Sequence, residues 1–266
     1  MKRIAIGLAY DGSAFEGWQS QPSRRTVQDH VEAALSAVAA APLRVQGAGR
    51  TDAGVHASAQ VAHFDVEAER LDSAWVRGAN AHLPDGIAIQ WAREVGSEFN
   101  ARFSAVGRSY TYVLYNHAVR PALYAQQVGW FHLPLDEKSM QRAASLLVGE
   151  QDFSAFRSAE CQAKNPVRVM EEARITRHGA YLVFRFRANA FLHHMVRNIV
   201  GSLIYVGKSA HAPEWIAEVL ALRDRGRAAP TFSAGGLYLS GVHYPDAWHL
   251  PAFVPMMPFD FLNTET

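Results

Sequence analysis

A run of six short elements organises the first hundred residues and limits what this chain can become. Lys2 to Tyr10 alternates apolar with small or polar residues, and Asp11-Gly12 closes it as a strand with a turn. Thr26 is a helix N-cap with Asp29 three residues on, and Val27, Val31, Leu35 and Val38 recur at helical spacing until Ala39-Ala40-Ala41-Pro42 stops them. A short strand near Leu43 to Gln46 follows, then an alternating strand from Gln60 to Val66. A weaker helix marked by Leu71, Trp75, Gly78 and Ala79 and a strand from Ile87 to Glu94 complete the run. The order β-α-β-β-α-β predicts a split βαβ layer with helices on one face.

Phe99 to Gly107 breaks this pattern and reads as a junction. Beyond it, Arg108 to Asn116 is strand-like, His117 to Asp136 is a loop, and Met140, Ala143, Ala144 and Leu147 mark a helix. Val169 to Arg177 and Tyr181 to Ala188 form a hairpin around His178-Gly179. Leu192 to Val206 is the strongest helix of the chain, Pro213 to Leu222 a shorter one, and Gly236 to Val242 a last strand. The expectation is an α/β (α+β) protein of two similar β-α-β-β-α-β halves with mainly antiparallel sheets, alike in order though not in sequence. Its regions are residues 1–105, residues 106–244, and a tail of residues 245–266. In that tail Pro245, Pro251, Pro255 and Pro258 favour an extended course over the surface.

At 266 residues with 49% apolar residues, the chain has ample material for real cores. No apolar run approaches the roughly 18 residues that cross a bilayer, and the opening MKRIAIGLAYDGS reads as a first strand rather than a leader. A cytoplasmic protein without a membrane partner is expected. Cys161 is the single cysteine, which excludes an intrachain disulfide and any zinc site with more than one thiolate; its polar surroundings, RSAECQAKNP, carry nothing that activates a thiol. A net charge of +1 does not announce a nucleic-acid partner. The cations are mostly arginines spread singly or in small groups, the residue type suited to phosphate and to stacking on bases, and equally to a solvated surface.

The chemistry gathers in Gly47 to Ala57, GAGRTDAGVHA, where Asp52 is the only carboxylate between Glu32 and Asp65. A lone acid on a glycine-rich turn has two readings: a turn residue bonded to its own backbone, or a reactive group held out on a rigid platform. Phe15 to Gln21, followed by Arg24-Arg25, suits an RNA surface or a loop folded over its own core. In the Leu192 helix, Leu192, Met195, Val196, Ile199, Val200 and Leu203 share one broad face, and Arg197 projects from its edge. Such a guanidinium either pairs with a distant anion, a phosphate or a carboxylate such as Asp52, or snorkels to water. His193-His194 point about 100° apart if helical, which argues against a shared metal ion. Gly47-Ala48-Gly49 lacks the spacing of a nucleotide loop, and no GxSxG element supports a serine nucleophile.

Taken in order and spacing, YDGSAFEGWQSQP, TVQDHVEAAL, GAGRTDAGVHA, FNARFSA with RSYTYVLYN, FLHHMVRNIVG and APTFSAGGLYLSGVHYP resemble the tRNA pseudouridine synthase A family, from about Ile4 to Tyr244. The resemblance implies an enzyme that isomerises uridine to pseudouridine at positions 38, 39 and 40 of the tRNA anticodon stem-loop; the alternatives are a pseudouridine synthase acting on other RNA positions and a non-catalytic tRNA-binding chaperone. It implies a homodimer that uses no cofactor and no metal, with a basic RNA-binding cleft between the two halves. Position by position, the family's catalytic aspartate falls on Asp52, its neighbouring arginine on Arg50 and the base-stacking tyrosine on Tyr110. The arginine that pairs with the aspartate falls on Arg197, and the apolar residue of the uracil pocket on Leu237. Arg24 and Arg25 are expected among the residues that meet the RNA.

Overall fold

The structure is a computed structural model of the chain and describes residues 1–251. Strand β1 (Lys2–Tyr10) forms the middle of a first sheet. β3 (His56–Val66) and β4 (Ile87–Val95) flank it antiparallel, with Ile6 opposite Ala62 on one side and Ala92 on the other. Two further strands pair with β3: β2 (Gln46–Gly47) antiparallel, and β10 (Leu237–His243) parallel, with Tyr238 opposite His56.

Helices α1 (Val27–Ala39) and α2 (Asp72–Asn80) pack on one another, and α2 lies on this sheet, where Trp75 meets Phe64 edge to face at 5.2 Å. Phe64 stands opposite Ile4, so the face bearing Ile4, Ile6 and Leu8 is the one the helices cover. The other face is covered too: Ala5, Ala48, Val61, Phe99 and Ala101 form a second buried cluster under Trp91, Tyr244, Trp248 and Leu250. A strand buried on both faces explains why Ile4 to Leu8 is apolar with only alanine and glycine between the branched residues.

The chain divides into two compact units, Met1–Val106 with the residues from Tyr238 onward, and Gly107–Leu237. The last strand was expected with residues 106–244; it groups with the first unit because Tyr238 and Leu239 hydrogen-bond along β3. The expected extended tail also differs. Residues Asp246–Trp248 form a short 3-10 turn, and the Trp248 ring packs against Phe99 at 5.1 Å, because two large apolar groups there have a core face to cover. The remaining expectation for residues 252–266 lies outside the described residues.

The second unit is a sheet in the order β5 (Gly107–Asn116), β9 (Tyr181–Ala188), β8 (Val167–His178), β7 (Gly149–Asp152), antiparallel throughout. β6 (Gly129–Phe131), inside the stretch expected to be loop, pairs parallel with the end of β5. Three helices accompany it: α3 (Glu137–Ser145), α4 (Met195–Gly207) and α5 (Trp215–Leu222). The fold is thus mixed α/β with mainly antiparallel sheets.

Helix α4 departs from its expected one-sided burial. Asn198, Ser202 and Ile204 are as buried as Ile199 and Leu203. The polar pair is satisfied inside: Asn198 Nδ2 donates to Phe156 O at 2.7 Å, and its Oδ1 accepts from Arg225 at 3.0 Å and from Thr231 at 2.7 Å. Paired in this way, those groups avoid the cost of buried unmet hydrogen bonds. Among the described residues, no helix is long and apolar enough to cross a membrane.

Candidate functional site

In the first unit, β2 ends at Gly47 and β3 begins at His56, and the residues between them carry Asp52 on a tight turn. Val55 N–H donates to Asp52 O at 3.1 Å, and Gly54, at φ +76°, takes the left-handed conformation that the turn needs. Asp52 is half-buried, Arg50 exposed and Thr51 buried.

Neighbouring segments fasten this turn at several points. Tyr10 Oη and Thr51 Oγ1 are hydrogen-bonded at 2.8 Å, both buried. Gln60 Nε2 donates to Gly49 O at 2.8 Å, and Trp18 N–H donates to Thr51 O at 3.0 Å. Gly17, at φ +83°, lies so close that a β-carbon there would sit 2.6 Å from Thr51 O, and one on Gly12 would sit 2.0 Å from Val55 O. These two glycines let the segment after β1 lie backbone to backbone on the Asp52 loop.

The far end of the turn is held by His56. Its Nδ1 accepts the Gly12 N–H at 3.0 Å and stands 3.1 Å from Asp11 Oδ1, while its ring stacks on Tyr238 at 4.7 Å. Burial first, and then the Asp11 carboxylate, push the Tyr238 phenol well above its ordinary pKa, so it stays protonated in the core.

The aromatics of the segment after β1 resolve one open reading. Phe15 and Trp18 are buried, with Trp18 6.1 Å from the Tyr10 ring, so they belong to the core and not to a surface. The polar residues of that segment face outward: Gln19 Oε1 accepts from Arg50 Nε at 3.1 Å. Arg24 is exposed at φ +58° with Nη1 3.2 Å from Asp29, and Arg25 is exposed 3.5 Å from Glu16. Burial raises the Asp29 carboxyl, but hydrogen bonds from Ser20, Thr26 and Arg24 outweigh it and hold the group below its usual range.

Tyr110, Arg197 and Leu237 belong to the second unit. Tyr110 is half-buried on β5 opposite Phe186, and its ring meets Phe191 edge to face at 4.9 Å. Arg197 is half-buried in the first turn of α4, where Nε donates to Phe232 O at 2.9 Å, and Phe232 N–H donates back to Arg197 O at 3.3 Å. Leu237 is buried at the start of β10.

His193 and His194 require a correction. They precede α4 rather than lie on it, because His194 takes φ +62° and the helix starts at Met195. Their rings lie 4.0 Å apart at 35° instead of splaying by a helical step.

The profile of a family described as tRNA pseudouridine synthase matches residues 8–104 and 143–245. "tRNA pseudouridine synthase A" of Aromatoleum aromaticum is 60% identical over 262 residues, covering 97% of this chain and 99% of that one. Its counterpart in Thiobacillus denitrificans is 57% identical over 259 residues, covering 97% and 100%. The chain belongs to the tRNA pseudouridine synthase A family. It is therefore an isomerase that acts on tRNA. Within this synthase, Asp52, Arg50, Arg24, Arg25, Arg197 and Leu237 lie inside the matched segments, whereas Tyr110 lies between them.

Sequence reasoning did not single out Tyr10, Thr51, Gln60 and His56 as supports of the loop. His56 carried a signal, an imidazole directly after the turn and at the head of β3. Tyr10 and Gln60 read as ordinary strand residues.

Proposed function

We propose that this synthase converts uridine to pseudouridine at positions 38, 39 and 40 of the tRNA anticodon stem-loop, in the cytoplasm and as a homodimer, with Asp52 as the nucleophile. The observation that carries the reading is the fastening of the Asp52 loop by Tyr10, Gly12, Gly17 and Gln60. A turn residue needs no such framework; a group that must meet one carbon atom does.

The isomerisation breaks the N-glycosidic bond and rejoins the sugar to C5 of the same base. A carboxylate ionised at neutral pH supplies the anion that this needs, and Arg197 is its proposed cationic partner. Tyr110 stacks on the detached uracil and limits its escape, and Leu237 lines the pocket beside it. The target base has to leave its stem, and Arg50 is proposed to hold the extruded backbone, with Arg24 and Arg25 on neighbouring phosphates. With a net charge of +1 per chain, two copies together offer a long polyanion more cationic surface than one.

A site-by-site pseudouridine map of tRNA from cells with and without the protein tests the assignment. Loss at positions 38, 39 and 40 alone is expected. Loss at other positions with those three intact would overturn it.

A further inference from the structure

Phe232 ties Arg197 to the segment of chain ahead of β10. Both of its backbone polar groups are engaged: Phe232 O accepts from Arg197 Nε at 2.9 Å, and Phe232 N–H donates to Arg197 O at 3.3 Å. The direction of the guanidinium therefore depends on where residues 231–233 lie against α4.

That segment is fixed by a compact polar network. Thr231 Oγ1 donates to Asn198 Oδ1 at 2.7 Å and accepts from Arg225 Nη2 at 3.1 Å, and Arg225 Nη2 also donates to Asn198 Oδ1 at 3.0 Å. Asn198 Nδ2 donates to Phe156 O at 2.7 Å, so the amide has one orientation that serves all these partners. The other arm of the Arg225 fork, Nη1, donates to Ala229 O at 2.9 Å, while Ala229 N–H donates to Ser202 Oγ at 3.2 Å. A β-carbon on Gly201 would run into Pro230 O, so α4 admits this backbone at a glycine. Past Phe232, Ser233 O accepts from Tyr112 Oη at 3.0 Å, two residues along β5 from Tyr110.

We propose that Asn198, Arg225 and Thr231 are positioning residues for the isomerisation: they place Phe232 O, and Phe232 O aims the Arg197 guanidinium. The inference rests on the part proposed above for Arg197 and names what sets its direction. Two features favour it over plain loop stability. Asn198 is fully buried beside Ile199, where an apolar side chain would pack with no hydrogen bonds to satisfy. Arg225 gives up solvation, and burial lowers its pKa, to spend a rigid fork on carbonyl, amide and hydroxyl oxygens. Such an arrangement fixes geometry.

Initial rates on tRNA, with urea unfolding measured beside them, test the proposal on four variants of the full chain. Thr231→Val keeps the shape of the side chain and removes its hydroxyl; Thr231→Ser keeps the hydroxyl and removes a methyl group. Gln141→Ala is the stability control, deleting a side chain that accepts from Ile175 N–H at 2.6 Å and donates to Ala173 O at 3.2 Å. Arg197→Ala reports on the part proposed for Arg197 and is expected to lower kcat. Thr231→Val should lower kcat by about 10-fold or more with KM for tRNA within about twofold, since small misplacements cost rate rather than binding. Thr231→Ser should stay within about threefold of the normal kcat, and Gln141→Ala should unfold at lower urea with kcat unchanged. A normal kcat for Thr231→Val beside an impaired Arg197→Ala would overturn the positioning role and leave the reading of Arg197 standing. Equal losses in Thr231→Val and Thr231→Ser, or in Thr231→Val and Gln141→Ala, would overturn it as well. A normal kcat for Arg197→Ala would overturn both.

Discussion

Tyr10 Oη and Thr51 Oγ1 share a buried hydrogen bond of 2.8 Å between the last residue of β1 and the residue before Asp52. Tyr10→Phe removes that bond and leaves a buried hydroxyl to find another partner, at a cost of about 1 to 3 kcal/mol. Urea unfolding should record that loss. Initial rates on tRNA should show kcat lowered with KM little changed, because the carboxylate is displaced while the RNA contacts stay. An unchanged kcat in a measurably destabilised variant would confine Tyr10 to a structural role.

Gly17 tests the same framework from the other side. Gly17→Ala has to adopt φ +83° and place a methyl group 2.6 Å from Thr51 O, and backbone cannot yield there as a flexible side chain would. The left-handed conformation alone costs roughly 1 to 2 kcal/mol. The variant should unfold at lower urea concentration and lose activity further than Tyr10→Phe does. Activity and midpoint both equal to those of the unaltered enzyme would show that the loop is not held by this contact.

Much of the fold was legible because local chemistry and tertiary packing agree. Thr26 caps α1 by accepting from Asp29 N–H, and the helix runs over Val27–Ala39, where the apolar spacing puts it. What escaped was short or non-local. β6 has three residues and β7 is Gly-Glu-Gln-Asp, so neither has room for an alternating pattern. β10 reads as a strand, but its parallel partner β3 ends about 170 residues earlier, and nothing in either run names the other. The start of α4 was misplaced because apolar periodicity continues through Leu192, while His194 leaves the helical region at φ +62°. At the site, composition exposed the glycine-rich loop and its lone acid. The fastening by Tyr10, Gln60 and Gly17 depends on chain segments that meet only in the folded unit.

Arg3 and Asp65 provide a pH test that is independent of catalysis. Arg3 Nε and Nη2 each donate to the Asp65 carboxylate at 2.7 Å, and Nη1 also donates to Phe99 O at 2.8 Å and to Ser97 O. The hydrogen bonds from Arg3, against a smaller opposing effect of burial, hold the Asp65 carboxyl below its usual range. A carboxylate depressed in the folded state adds stability that is present above its unfolded pKa of about 3.9 and is lost as pH falls through the folded value. Asp65→Asn should therefore be less stable than the unaltered chain at pH 7, by roughly 1 to 3 kcal/mol, and the gap should narrow steadily below about pH 4. Equal urea midpoints at pH 7 would show that this pair contributes nothing.

Asp52→Asn separates the reactive aspartate from the turn residue. The substitution keeps the size and most of the hydrogen-bonding capacity of the side chain, and removes its negative charge and nearly all of its nucleophilicity. The surrounding framework of Tyr10, Gly12, Gly17 and Gln60 contacts the loop mainly through Gly49, Thr51 and Val55, so the backbone should hold its course. Tritium release from C5-labelled uridine in tRNA should fall below detection. A filter-binding titration at fixed salt should give a Kd within about threefold of the unaltered enzyme, since taking an anion away from a surface that receives phosphates lessens repulsion. Turnover near the normal rate would return Asp52 to the role of a turn residue. A folded variant that no longer binds tRNA would make the loop a recognition element instead.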